Sequence, residues 1–150
     1  MRLTINSWSG TIMAILLFAG VLAAYPAHAQ QMQRFGDYEL HYIVISTTTL
    51  KPEIAQRYGI ERGKDRALCN LSIIDDNGKG VRGTLEGDTQ NLLGQRQDLR
   101  FTEVIDGDAV YYLAIIRHAN EEVHRINIDA QTPDGTRTNL RFNQKLYWAE

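Results

Sequence analysis

Apolar and polar side chains alternate along most of this chain with a period of two, and long stretches of helical spacing are scarce. Tyr38, Leu40, Tyr42 and Val44 alternate with Glu39, His41 and Ile43, which predicts a first strand from about Phe35 to Ser46. Pro52 to Tyr58 is the only helix-like piece, with proline suited to a first turn and Gly59 to a stop. It is under two turns long, too short to hold itself, so it is expected to lean on the sheet through Ile54 and Tyr58. A second strand, from about Arg66 to Ile74, puts Ala67, Cys69, Leu71 and Ile73 on one face. Asp75 to Gly80 reads as a turn built on Asn77-Gly78, and Val81 to Glu86 as a short strand weakened by Gly83. Gly87 to Asp98 reads as a loop pinned by Leu92 and Leu93. Strands are then expected over Leu99 to Ile105, Ala109 to Arg117, Val123 to Ala130 and Arg137 to Phe142. The second of these is apolar on both sides and so belongs in the middle of a sheet. The pattern predicts an all-β, antiparallel, seven-stranded immunoglobulin-like β-sandwich with one short helical turn in the first crossover. A small barrel is the alternative, and periodicity does not separate the two.

The first 29 residues break this pattern. Arg2 supplies a positive start, Thr11 to Ala24 is an apolar run, Pro26 breaks it, and Ala27-His28-Ala29 offers small residues around a larger one. Those are the parts of a secretory signal peptide, here cut after Ala29. The run is fourteen residues long, short of the roughly 20 that span a bilayer as a helix. No cysteine lies near the cut to carry a lipid. The reading is therefore a signal peptide over 1–29, a mobile new terminus over 30–34, and one β-sandwich domain over 35–150, with no membrane span after cleavage.

The whole chain carries 16 basic and 18 acidic residues, a mildly acidic balance of mixed signs. That argues against nucleic acid as a partner, because non-specific binding to it is mainly phosphate neutralisation by a basic face. Cys69 is the single cysteine, so no internal disulfide is possible and the domain must rely on its own core.

Tyr58-Gly-Ile-Glu-Arg-Gly-Lys-Asp-Arg-Ala-Leu68, Asn91-Leu-Leu93 and Ala109-Val-Tyr-Tyr-Leu-Ala114 carry a resemblance. So do Arg34-Phe-Gly-Asp-Tyr38 and Arg141-Phe-Asn-Gln-Lys-Leu-Tyr147. With them the chain resembles the short exported proteobacterial proteins of the domain of unknown function 4426 family. The resemblance implies a Gram-negative origin and a periplasmic address, and it implies no activity. Cys69 departs from the plain aliphatic residue expected there, which speaks against a family-wide thiol chemistry.

Arg62, Lys64, Asp65 and Arg66 form the densest charged stretch, where a loop enters a strand. Two arginines and a lysine beside Gly63 can hold a carboxylate, a phosphate or a partner's acidic side chain. The plainer reading is that Asp65 pairs with a neighbouring cation and organises the crossover. Cys69 shares a strand face with Leu71 and Ile73, so it is expected to be buried and inert rather than a nucleophile served by His41 or His118. His118 and His124 flank one hairpin but fall short of the three or four ligands of a zinc site. Asp75, Asp76, Asn77, Asp106 and Asp108 read as turn residues, without the full ligand series of a calcium loop. Glu86, Asp98 and Glu103 are the kind of carboxylates any acidic β-domain offers. Tyr111 and Tyr112 must face opposite ways, one into the core and one onto an outer face with His41.

No catalytic residue, metal site or cofactor loop is predicted. The leading expectation is an exported periplasmic, non-enzymatic protein-interaction or accessory module with a periplasmic or envelope protein partner. The second is a small anionic-ligand-binding domain anchored by Arg62, Lys64 and Arg66. The third is an enzyme, which would require a cleft where carboxylates, His41 or Lys64 converge.

Overall fold

The computed structural model describes residues 31–149; the expected leader and its cut after Ala29 lie outside the described residues. In chain order the elements are β1 (Gln31–Phe35), β2 (Tyr38–Ser46), α1 (Pro52–Arg57), β3 (Arg66–Asp75), β4 (Gly80–Val81) and β5 (Thr84–Asn91). They are followed by β6 (Arg96–Leu99), β7 (Thr102–Asp106), β8 (Ala109–Arg117), β9 (Glu122–Gln131) and β10 (Arg137–Leu146). All pairings are antiparallel. A six-stranded sheet runs β1-β2-β3-β8-β7, with β4 also on β3, and a four-stranded sheet runs β10-β9-β5-β6. The fold is all-β, with two open sheets rather than a closed barrel.

The period-two pattern explains how the sheets meet. Leu40 of β2, Cys69, Leu71 and Ile73 of β3, and Tyr112, Ala114 and Ile116 of β8 bury one face of the six-stranded sheet. Ile126, Ile128 and Ala130 of β9 and Leu140 of β10 answer from the other sheet. The rings of Tyr42 and Phe142 close the gap, with centroids 4.7 Å apart. Each fully buried aliphatic side chain contributes about 1.5–3 kcal/mol. Ala55 is the buried residue of α1, while Ile54 and Tyr58 are only half-buried, so the helix rests on its smallest side chain.

Among the described residues ten strands replace the seven expected, for three reasons. Residues 31–34, expected as a mobile end, belong to β1, which pairs with β2 from Gln31↔Tyr42 to Phe35↔Tyr38. The buried Phe35 ring anchors that pairing. The strand expected over Val81 to Glu86 is broken at Arg82-Gly83, where the chain crosses from one sheet to the other. A Cβ at Gly83 would lie 2.6 Å from the Gln131 carbonyl oxygen and 2.8 Å from Ile73 Cδ1, so only glycine fits the crossing. The Tyr112 hydroxyl accepts from Gly83 N–H at 2.7 Å and stands 3.0 Å from the Glu103 carboxylate, clamping the crossing to β8. Finally, Gly87 to Asp98 is largely the β5–β6 hairpin instead of a loop. Leu92 and Leu93 pin nothing: they are 63% and 84% exposed at its tip. Asn91 organises that tip, its Oδ1 accepting from Leu93 N–H at 3.1 Å and Gln95 N–H at 2.9 Å.

Cys69 has no exposed surface, and burial pushes its thiol up to about 12. A disulfide reagent at mildly alkaline pH is therefore expected to leave the native chain unlabelled and to label one thiol per chain in denaturant. Native labelling at the rate of free cysteine would contradict this burial.

Candidate functional site

The Arg62–Arg66 loop is folded onto itself and its neighbours. The fully buried Thr47 staples it: its hydroxyl lies 3.1 Å from the carbonyls of Gly63 and Arg66 and accepts from Gly63 N–H at 3.0 Å. Arg62 donates to the Thr48 carbonyl at 2.8 Å. Lys64 lies over the Trp148 ring, 4.4 Å from its centroid. Arg66 pairs with Glu61 at 2.8 Å and approaches Asp65 at 3.8 Å, and its side chain is only 16% exposed. The structure thus brings all four residues onto one loop but gives each cation a local partner. Asp65 also lines a polar cleft, and its carbonyl accepts from His118 N–H at 3.0 Å.

That cleft lies at one open end of the two sheets, where β5, β6, β8 and β9 converge; its volume is about 300 Å³. Asn91, Thr89 and His124 stay on the inward face there but replace the aliphatic residues found further along β5 and β9. The Thr89 hydroxyl meets His124 Nδ1 at 2.9 Å, and His124 Nε2 meets Glu122 at 2.8 Å. Glu122 also accepts from Asn91 Nδ2 at 2.7 Å and Ala119 N–H at 2.8 Å. The order hydroxyl, imidazole, carboxylate is that of a hydrolytic relay. Yet Thr89 has no exposed surface, so the chain acts here as a polar plug for the end of the core. His118 enters the same cleft, bonded through Nδ1 to the Ala119 carbonyl at 2.9 Å. Among the described residues no three His, Cys, Asp or Glu side chains gather to hold a metal ion. Glu103 is engaged with Arg82 and Tyr112, Asp98 with Arg96, and Glu86 lies elsewhere, so the three carboxylates share no site.

Burial pushes the Glu122 carboxyl up, but hydrogen bonds from Ala119 N–H, His124 and Asn91 outweigh it and hold the group below the usual carboxylate range. A carboxyl lowered in the folded state adds stability above its ordinary pKa and loses it as pH falls through the folded value. The stability gap between wild type and Glu122→Gln is therefore expected to narrow from about pH 6 to pH 3, read from urea midpoints. A gap that widens on acidification would contradict the network.

The outer faces of the two sheets differ. On the four-stranded sheet Glu86, Asp88, Arg125, Asn127, Asp129, Asn139 and Arg141 point outward, the polar skin expected of a solvated sheet. On the six-stranded sheet the register sets Ile45, Leu68 and Ile115 in one outward row and Ile43, Asn70 and Leu113 in the next. Tyr111 and Val104 pair beyond them, and His41 shares this face, while Tyr112 is in the core. Ile43 is 49% exposed. Asn70 Oδ1 and His41 Nδ1 are shielded from solvent without a hydrogen-bond partner. Sequence reading missed this face because a strand apolar on both sides looks the same whether one side is covered or bare.

The family model described as "Domain of unknown function (DUF4426)" matches residues 32–149. The structure is similar to that of a DUF4426 family protein from Pseudomonas aeruginosa, at 28% identity and a TM-score of 0.72, over 80% of this chain and 96% of that one. It is also similar to FetP of uropathogenic Escherichia coli, expressed recombinantly in the periplasm, at 14% identity and a TM-score of 0.59, over 80% and 95% of the two chains. A copper-bound variant of FetP aligns at 13% identity and a TM-score of 0.56, over 81% and 92%. At those identities the likeness to FetP shows a shared fold. No curated protein matches the sequence.

Proposed function

The chain belongs to the DUF4426 family, and from that premise we propose that it is an exported, periplasmic, non-enzymatic interaction module on an immunoglobulin-like sandwich. It docks a protein partner on the outward face of the six-stranded sheet. The contrast between the two outer faces carries this reading: one is polar apart from Val123 near its end, and the other presents Ile43, Ile45, Leu113 and Ile115 in adjoining rows. Contiguous apolar surface rimmed by polar residues is the mark of a protein contact on a soluble domain. The sealed Thr89 hydroxyl and Cys69 thiol support a role without nucleophilic chemistry. The leader pattern and FetP's periplasmic expression support the compartment. Anion binding by Arg62, Lys64 and Arg66 is the weaker reading, since each already has a partner.

Crosslinking pull-down from the periplasm tests it. Wild type and the control Arg141→Ala are expected to capture the same protein, and Ile43→Lys to lose it. Capture of no reproducible protein under several growth conditions, or equal capture by Ile43→Lys, would contradict the reading.

A further inference from the structure

β7 accompanies β8 only as far as Thr102↔Leu113. Beyond that point the Gln97 side chain takes the place of a strand. Its Nε2 donates to the Ile115 carbonyl at 2.8 Å and its Oε1 accepts from Arg117 N–H at 3.0 Å. The edge of β8 is thus satisfied by one amide group, which leaves room beside it. A groove of about 670 Å³ opens there, within the range of small-ligand sites. Leu113 and Ile115, both half-buried, form its apolar floor beside Leu68, which is only 4% exposed, and Tyr58 and Ile60, from the segment after α1, line it as well.

Arg100 and Arg117 also line the groove. Both are exposed, and neither side chain takes part in an ion pair among the described residues. Asp98, the acidic residue of the same groove, already lies 3.6 Å from Arg96. Two unspent guanidiniums beside an apolar floor complement one kind of molecule. A plain anion would leave the floor in water, and a neutral hydrocarbon would gain nothing from the arginines.

The geometry points to a binding site for a free long-chain carboxylate, its head held by Arg100 and Arg117 and its chain laid along Leu113 and Ile115. The guanidinium fork matches a carboxylate in a bidentate way, and the apolar chain removes the floor from water. The groove shares Leu113 and Ile115 with the proposed docking face, while Ile43, the exposed residue of that face, lies outside it.

Calorimetric titration of the purified protein with dodecanoate, below its micelle concentration, tests the site. Saturable one-to-one binding is expected, weakened about tenfold or more by the double change Arg100→Gln with Arg117→Gln. Leu113→Gln is expected to weaken it as well, and Arg141→Gln to leave it unchanged. Octyl glucoside, with a tail and no charge, is expected to bind weakly and equally to wild type and the double variant. Both arginines are exposed, so melting curves of the variants should match wild type. No saturable heat at millimolar dodecanoate, undiminished affinity in the folded double variant, or binding to phosphatidylglycerol vesicles in place of the free acid would overturn the proposal. Loss of the periplasmic partner in Ile43→Lys is read separately, so the two ideas can fail independently.

Discussion

Replacing Glu122 with alanine is expected to lower stability by about 2–4 kcal/mol, a large share of the roughly 5–15 kcal/mol that holds a domain folded. The carboxylate accepts from His124, Asn91 and Ala119 at once, and His124 hands the chain on to the buried Thr89. Removing it orphans several donors in a region where Thr89, Asn91 and His124 are all buried, at about 1–3 kcal/mol for each group left without a partner. Partial access of water to Glu122 tempers the sum. Urea unfolding followed by circular dichroism reads the effect, with a fall in melting temperature of roughly 10 °C or more. Glu122→Gln keeps one acceptor oxygen and should cost less. A loss below about 1 kcal/mol for Glu122→Ala would mean that the network does not hold the end of the core together.

The second large effect separates the two faces of one strand. Ile116→Ala is expected to cost about 2–5 kcal/mol, because Ile116 has no exposed surface and its truncation leaves a cavity between the sheets. Ile115→Ala, one residue away and equally apolar, should cost about 1 kcal/mol or less, because Ile115 is only half-buried and outside that core. Equal costs would mean that both faces of β8 are covered, and the bare outer face would disappear with them.

That pair also shows what the sequence could and could not say. Alternation was enough to place β2, β3, β8, β9 and β10, since each turns alternate, mostly apolar residues toward one partner sheet. It predicted that Tyr111 and Tyr112 face apart, and Tyr112 is the one in the core. Alternation could not see the crossing at Arg82-Gly83, which is two residues long and depends on how closely the Gln131 carbonyl passes. Nor could it see that Leu92 and Leu93 stand at a hairpin tip, because apolarity alone does not say what lies opposite. The density of charge at Arg62–Arg66 drew attention to a loop whose cations are matched by Thr48, Trp148 and Glu61, two of them distant in sequence. Arg100 and Arg117 gave no local signal, since only the β6–β7–β8 path brings them to one groove. The same holds for Thr89 and His124, 35 residues apart and joined by one hydrogen bond.

The claim that the outward face of the six-stranded sheet receives a protein can be measured in the living compartment. A photo-crosslinking amino acid is placed at Ile43 in one strain and at Arg141, on the polar outer face, in another. The account predicts a discrete crosslinked protein from position 43 and none from position 141. No product from position 43, or the same product from both, would contradict it.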